Sequence, residues 1–243
     1  MPTSRSDSPL TSAWPSTAVI LPGTGSDADF VDRAFSPSLN ASGVRVIAVE
    51  PDPRRVVESY RDAMHAATDR SGSILVGGVS IGAAIALQWA AQHPHTTVGV
   101  LAALPAWTGA PHDAPAAASA RFTAGRLREL GLAAVTAEMT ESSPSWLGDE
   151  LAKSWKSQWP HLPSALDEAA DYCALDEAEL ADLEVPVGIA AAVDDAVHPL
   201  TVAQDWATRI PRAALSRLTL DEIGSDPSAL GRAALGALAD LIQ

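Results

Sequence analysis

Gly78-Val79-Ser80-Ile81-Gly82 is a G-x-S-x-G pentapeptide, and its setting gives it chemical meaning. The apolar run Ser73 to Gly77 before it reads as a buried strand, and Ala83 to Ala91 after it reads as a helix. At a strand-to-helix turn this tight, small residues must flank the serine. The hydroxyl of Ser80 then projects from the sheet edge at the positive end of the following helix, as a nucleophile for acyl transfer requires. The plainer reading is a helix N-cap serine between packing glycines. The strand and helix on either side favour the nucleophile.

The elements that would position Ser80 alternate along the chain. Thr17 to Leu21, Val44 to Val49, the strand before Ser80, Thr97 to Leu104, Val187 to Ala192 and Leu215 to Leu220 are short apolar strands. Helical stretches separate them at Ala28 to Phe35, Arg54 to Thr68, after Ser80, and at Leu200 to Arg209; Pro227 to Ile242 forms the last helix. Strands apolar throughout and separated by helices predict an α/β fold with a mostly parallel sheet of about six strands, covered on both faces. The alternation breaks between residues 106 and 183. There, five prolines divide a stretch without a convincing strand into helical pieces, and four of the seven tryptophans (Trp107, Trp146, Trp155 and Trp159) occur. This predicts a core of residues 17–105 and 184–243 with a helical cap insertion at 106–183. Residues 1–16 read as a loose tail, leaving no antiparallel hairpin ahead of the first strand.

Composition narrows the function. A hydrophobic fraction of 47% suffices for a full core, and a net charge of −14 argues against nucleic acid and anionic membrane surfaces as partners. Cys173 is the single cysteine, so no internal disulfide can form. No apolar run reaches membrane-spanning length, and the first fifteen residues lack an apolar signal core. A cytoplasmic protein without cofactor or metal, acting on a small molecule, is the expectation; oligomeric state is not legible.

With these elements in this order, the chain resembles the α/β-hydrolase fold family over nearly its whole length, in the form of an actinobacterial-type member with an atypical triad. The resemblance implies two oxyanion-hole amides. One is Thr24, in the loop Leu21-Pro22-Gly23-Thr24-Gly25; the other is Ile81, directly after the nucleophile. Gly23, beside Thr24, and Trp107, which leaves the strand after the Ser80 helix, are expected at the substrate pocket. The resemblance also implies an acid after the strand that follows the insertion, in Val193-Asp194-Asp195-Ala196-Val197-His198-Pro199; spacing to the proline favours Asp195 over Asp194. The family's histidine lies between the last strand and the last helix. Here that stretch, Asp221 to Pro227, contains Gly224-Ser225 and no histidine, so Ser225 is expected at the histidine's position. Of the six histidines, His198 is the first substitute as base, being three residues from Asp195, with His112 and His161 behind it.

Two readings follow from the resemblance. One is a serine hydrolase acting on a small, mostly apolar ester, thioester or lactone through an acyl-Ser80 intermediate. The alternative is a catalytically impaired or non-hydrolytic protein of the same fold that binds a small apolar ligand. A perhydrolase or lyase built on the same turn is a third possibility.

Overall fold

The computed structural model describes residues 14–242. The expected tail therefore lies outside the described residues except for Trp14 to Ser16, and so does most of the stretch on which an opening hairpin would fall.

The chain runs β1 (Thr17–Leu21), α1 (Ala28–Ala41), β2 (Arg45–Ala48), α2 (Val56–Ser71), β3 (Ile74–Val79), α3 (Ile81–Gln92) and β4 (Thr97–Ala103). Five helices follow: α4 (Pro115–Leu130), α5 (Leu132–Ser142), α6 (Ser145–Gln158), α7 (Leu162–Ala170) and α8 (Glu177–Ala181). It then returns through β5 (Val187–Ala192), α9 (Leu200–Arg209), β6 (Ala213–Leu218), α10 (Leu220–Ser225) and α11 (Ser228–Ala239). The six strands form one sheet in the order β2-β1-β3-β4-β5-β6, and every pairing is parallel.

Side-chain alternation along the strands divides the core into two layers. Val19, Val76, Ala102 and Ile189 face a layer built with α2, α3 and α9. Ala18, Ile20, Leu101 and Ala190 face the opposite layer, built with α1 and α11. A third cluster, with Leu127, Val135, Trp155 and Leu166, lies within α4–α7.

The chain leaves β1 toward one edge of the sheet and β3 toward the other. The crevice of a doubly wound sheet opens where the order reverses, at the carboxyl ends of such strands. Here the loop after β1 meets the turn after β3: a Cβ on Gly23 would lie 3.6 Å from the Cβ of Ser80.

Several element boundaries differ from expectation, α1 the most, running to Ala41 instead of Phe35; two of them bear on the site. The last strand ends at Leu218, and the stretch read as a loop from Asp221 begins inside the short helix α10. Thr219 and Glu222 explain both, since they form a capping box: the Thr219 hydroxyl accepts from the Glu222 amide, and the Glu222 carboxylate accepts from the Thr219 amide.

Candidate active site

Ser80 occupies the turn between β3 and α3 with φ 55° and ψ −115°, a conformation that non-glycine residues rarely adopt. Such strain costs about 1–3 kcal/mol and persists only where the surroundings enforce it. The enforcement is visible. A Cβ on Gly78 would sit 2.5 Å from the Leu21 carbonyl oxygen, and one on Gly82 would sit 2.4 Å from the same atom. The two glycines let the turn press against the end of β1, while the Ser80 amide donates to the Ala103 oxygen at 2.9 Å and ties the turn to β4. Ser80 is only 7% exposed, and that exposed surface lines a pocket.

The loop after β5 carries an aspartate and a histidine that meet Ser80. Asp195 Oδ1 accepts the amides of Val197 (2.8 Å) and His198 (3.1 Å), folding the loop into a tight turn. Its other oxygen, Oδ2, accepts from His198 Nδ1 at 2.8 Å. With the proton held at Nδ1 by the carboxylate, Nε2 presents its lone pair, and the Ser80 hydroxyl donates to it at 2.9 Å. Burial pushes the Asp195 carboxyl up. The hydrogen bond and charge of His198, with the two turn amides, outweigh burial and hold it below the ordinary aspartate value. Asp194 points elsewhere: its carboxylate accepts from the Leu220 amide at 2.9 Å, at the start of α10.

Ser225 requires a correction. It lies exposed at the last residue of α10, outside the pocket lining, rather than between Asp195 and Ser80. The imidazole of His198 fills that place, reaching it from the β5 loop instead of from the loop after β6. His198, the first substitute by its spacing to Asp195, therefore stands where chain order placed Ser225. The spacing Asp195-Ala-Val-His198 was the available signal, because a turn-forming aspartate can bond the amides and the ring of a residue three positions on. His112 and His161 do not line the pocket.

The pocket over Ser80 has a volume of about 510 Å3. Gly23, Thr24 and Trp107 line it, together with Val135, Met139 and Leu151 from the helices between β4 and β5. Trp107 is anchored by its Nε1, which donates to the Tyr172 oxygen at 3.2 Å. Trp146 and Trp155 also reach the pocket wall, as does Leu104, a second non-glycine residue at positive φ (48°), which turns the chain out of β4. Sequence reading did not single out Leu104, and its only signal was the adjacent Pro105. Ile81 opens α3, where first-turn amides have no partner within the helix. Among the described residues, no group of three or more His, Cys, Asp or Glu could hold a metal ion, and no helix is long and apolar enough to cross a membrane.

No protein-family model matches the chain, and no curated protein does. Solved structures do. The chain is similar to a thermophilic esterase from Thermogutta terrifontis at 18% identity and a TM-score of 0.72, covering 95% of this chain and 92% of that one. It is similar to MenH from S. aureus at 15% identity and a TM-score of 0.72, covering 97% of each chain. It is also similar to an enol-lactonase from Burkholderia xenovorans at 16% identity and a TM-score of 0.69, covering 93% of this chain and 92% of that one. At these identities the likeness establishes the fold: the chain has the α/β-hydrolase fold.

Proposed function

We propose that this protein is a serine hydrolase acting on a small, mostly apolar ester, thioester or lactone through an acyl-Ser80 intermediate. One observation carries the reading: the unbroken hydrogen-bond chain from Ser80 Oγ through His198 to Asp195, at the foot of a pocket of about 510 Å3. That volume suits a small organic ligand. Esterase and enol-lactonase among the structural neighbours are consistent with it.

In this mechanism Ser80 Oγ attacks the substrate carbonyl carbon as His198 Nε2 takes the hydroxyl proton. Asp195 keeps the ring oriented and stabilises the imidazolium. The oxygen of the tetrahedral intermediate lies against the Thr24 and Ile81 amides, the latter at the positive end of α3. Collapse breaks the bond to the alcohol or thiol, which leaves with the proton from His198. Water, deprotonated by the same nitrogen, then attacks the acyl-Ser80 carbonyl; the acid is released and Ser80 regains its proton. The non-hydrolytic alternative rested on a missing base, and His198 removes that support.

A fluorophosphonate activity probe tests the proposal. Covalent labelling at Ser80 in the wild type and none in Ser80→Ala is expected, alongside hydrolysis of simple aryl esters by the wild type only. An unlabelled wild type that turns over no aryl ester would refute it.

A further inference from the structure

We infer that α6 positions the oxyanion loop, with Ser154 and Gln158 as the positioning residues; this rests on the hydrolase reading above. The loop after β1 is short and glycine-rich, so its peptide planes need external support. Gly25 is at φ +72° and has no side chain to help. Four carbonyls around it, those of Pro22, Gly23, Gly25 and Ser26, nevertheless have partners. The Tyr60 hydroxyl donates to Pro22 O at 3.1 Å, and the Ser26 amide donates to Gly23 O at 3.0 Å. The Ser154 hydroxyl donates to Gly25 O, and Gln158 Nε2 donates to Ser26 O at 2.9 Å.

The second of these bonds matters for the oxyanion. Gly23 C=O and Thr24 N–H belong to one planar peptide unit and point in opposite directions. Fixing Gly23 O on the Ser26 amide therefore fixes the direction of the Thr24 N–H. Ser26 can hold Gly23 O only if residues 25 and 26 are themselves held, and α6 supplies both of those contacts.

Burial singles out the same two side chains. Ser154 is 1% exposed and Gln158 is 3% exposed; among the described residues of α4–α8 they are the two buried polar side chains. Burying a polar group is unfavourable unless it is hydrogen-bonded, and both of these donate to this loop, the Ser154 hydroxyl also reaching Leu151 O of its own helix at the longer distance of 3.3 Å. They lie four residues apart and so share one face of α6. Between them Trp155 packs so closely that a Cβ on Gly25 would come within 2.7 Å of its Nε1. One helix thus forms part of the pocket wall and sets the aim of a catalytic amide.

The test compares the wild type with Ser154→Ala/Gln158→Met and Ser154→Thr on 4-nitrophenyl butyrate, with thermal melting as the check on folding. The double variant should lose about 10- to 100-fold in kcat with KM within about twofold, because an oxyanion donor acts in the transition state and little in the ground state. Ser154→Thr keeps the hydroxyl and should stay within about threefold of wild-type kcat. A double variant losing less than about tenfold in kcat, or showing raised KM in place of lowered kcat, overturns the inference. So does Ser154→Thr falling as far as the double variant. If the double variant does not fold, Gln158→Met alone is read the same way: more than about threefold lost in kcat supports the inference, and less overturns it. A wild type that neither hydrolyses the ester nor labels at Ser80 overturns the hydrolase reading itself, and the inference with it. An active wild type with indifferent variants overturns the inference alone.

Discussion

Asp195 and His198 are three residues apart on one loop, so the acid and the base of the candidate site arrive together. The same carboxylate builds the turn with one oxygen and orients the imidazole with the other. Removing either member of the Ser80–His198 pair should then cost nearly as much as removing both. We expect His198→Ala to lower kcat by about three to four orders of magnitude, and Ser80→Ala/His198→Ala to be no slower than Ser80→Ala. Additive losses in ester hydrolysis kinetics would show that the two side chains act separately. Asp195 also links the site to pH. Its folded pKa is depressed, so its contribution to stability is fully present above the unfolded aspartate value of about 3.9 and is lost as pH falls through the lower folded value. Asp195→Asn should therefore be less stable than wild type at pH 7. The gap should narrow as pH drops from about 5 toward 3 in denaturant titrations, the range over which such a carboxylate protonates.

At the scale of elements, the turn between β3 and α3 depends on what its glycines lack. Because Gly78 and Gly82 press on the Leu21 carbonyl from both sides of Ser80, a methyl group at either position must push β1 away from the turn. Gly82→Ala should destabilise the fold by about 2–3 kcal/mol, read as a shift in urea midpoint. It should also slow fluorophosphonate labelling of whatever fraction remains folded, since β1 carries the loop to Thr24. An unchanged midpoint would mean that the turn has room the structure does not show. By contrast, Gly43 and Gly72 have open space where a Cβ would lie, and their positive φ alone accounts for glycine there.

Across the whole molecule, the reversal in strand order brings three loops to one place: those after β1, β3 and β5. The helices between β4 and β5 then close over them, and their mostly apolar side chains determine what can bind. Val135 is buried in the third core cluster and faces the pocket. Val135→Trp should shrink the space for a long acyl chain, lowering kcat/KM for an octanoyl aryl ester about tenfold more than for the acetyl ester. Equal losses on both esters would place the acyl group elsewhere. Phe122, 70% exposed, stands at the rim of the same pocket.

What the amino-acid sequence determined by itself was the scaffold and one end of the candidate site. Continuous apolar runs require strands buried on both faces, and helical spacing between them requires parallel crossovers; together these set the α/β architecture, with all six strands parallel. The glycines around Ser80 marked the turn because only a residue without a side chain tolerates a carbonyl 2.5 Å from where a Cβ would be. The stretch from 106 to 183 read as helical because prolines and tryptophans leave no alternating strand pattern, and α4–α8 occupy it. The histidine that meets Ser80 was decided only by tertiary structure. Ser80 and His198 are 118 residues apart, and nothing local to either says that the end of β5 approaches the end of β3. Ser225 matched a position in chain order, but chain order does not fix direction. The Thr219 capping box winds that stretch into α10 and leaves Ser225 facing water, while Asp195 turns the β5 loop back so that His198 reaches Ser80.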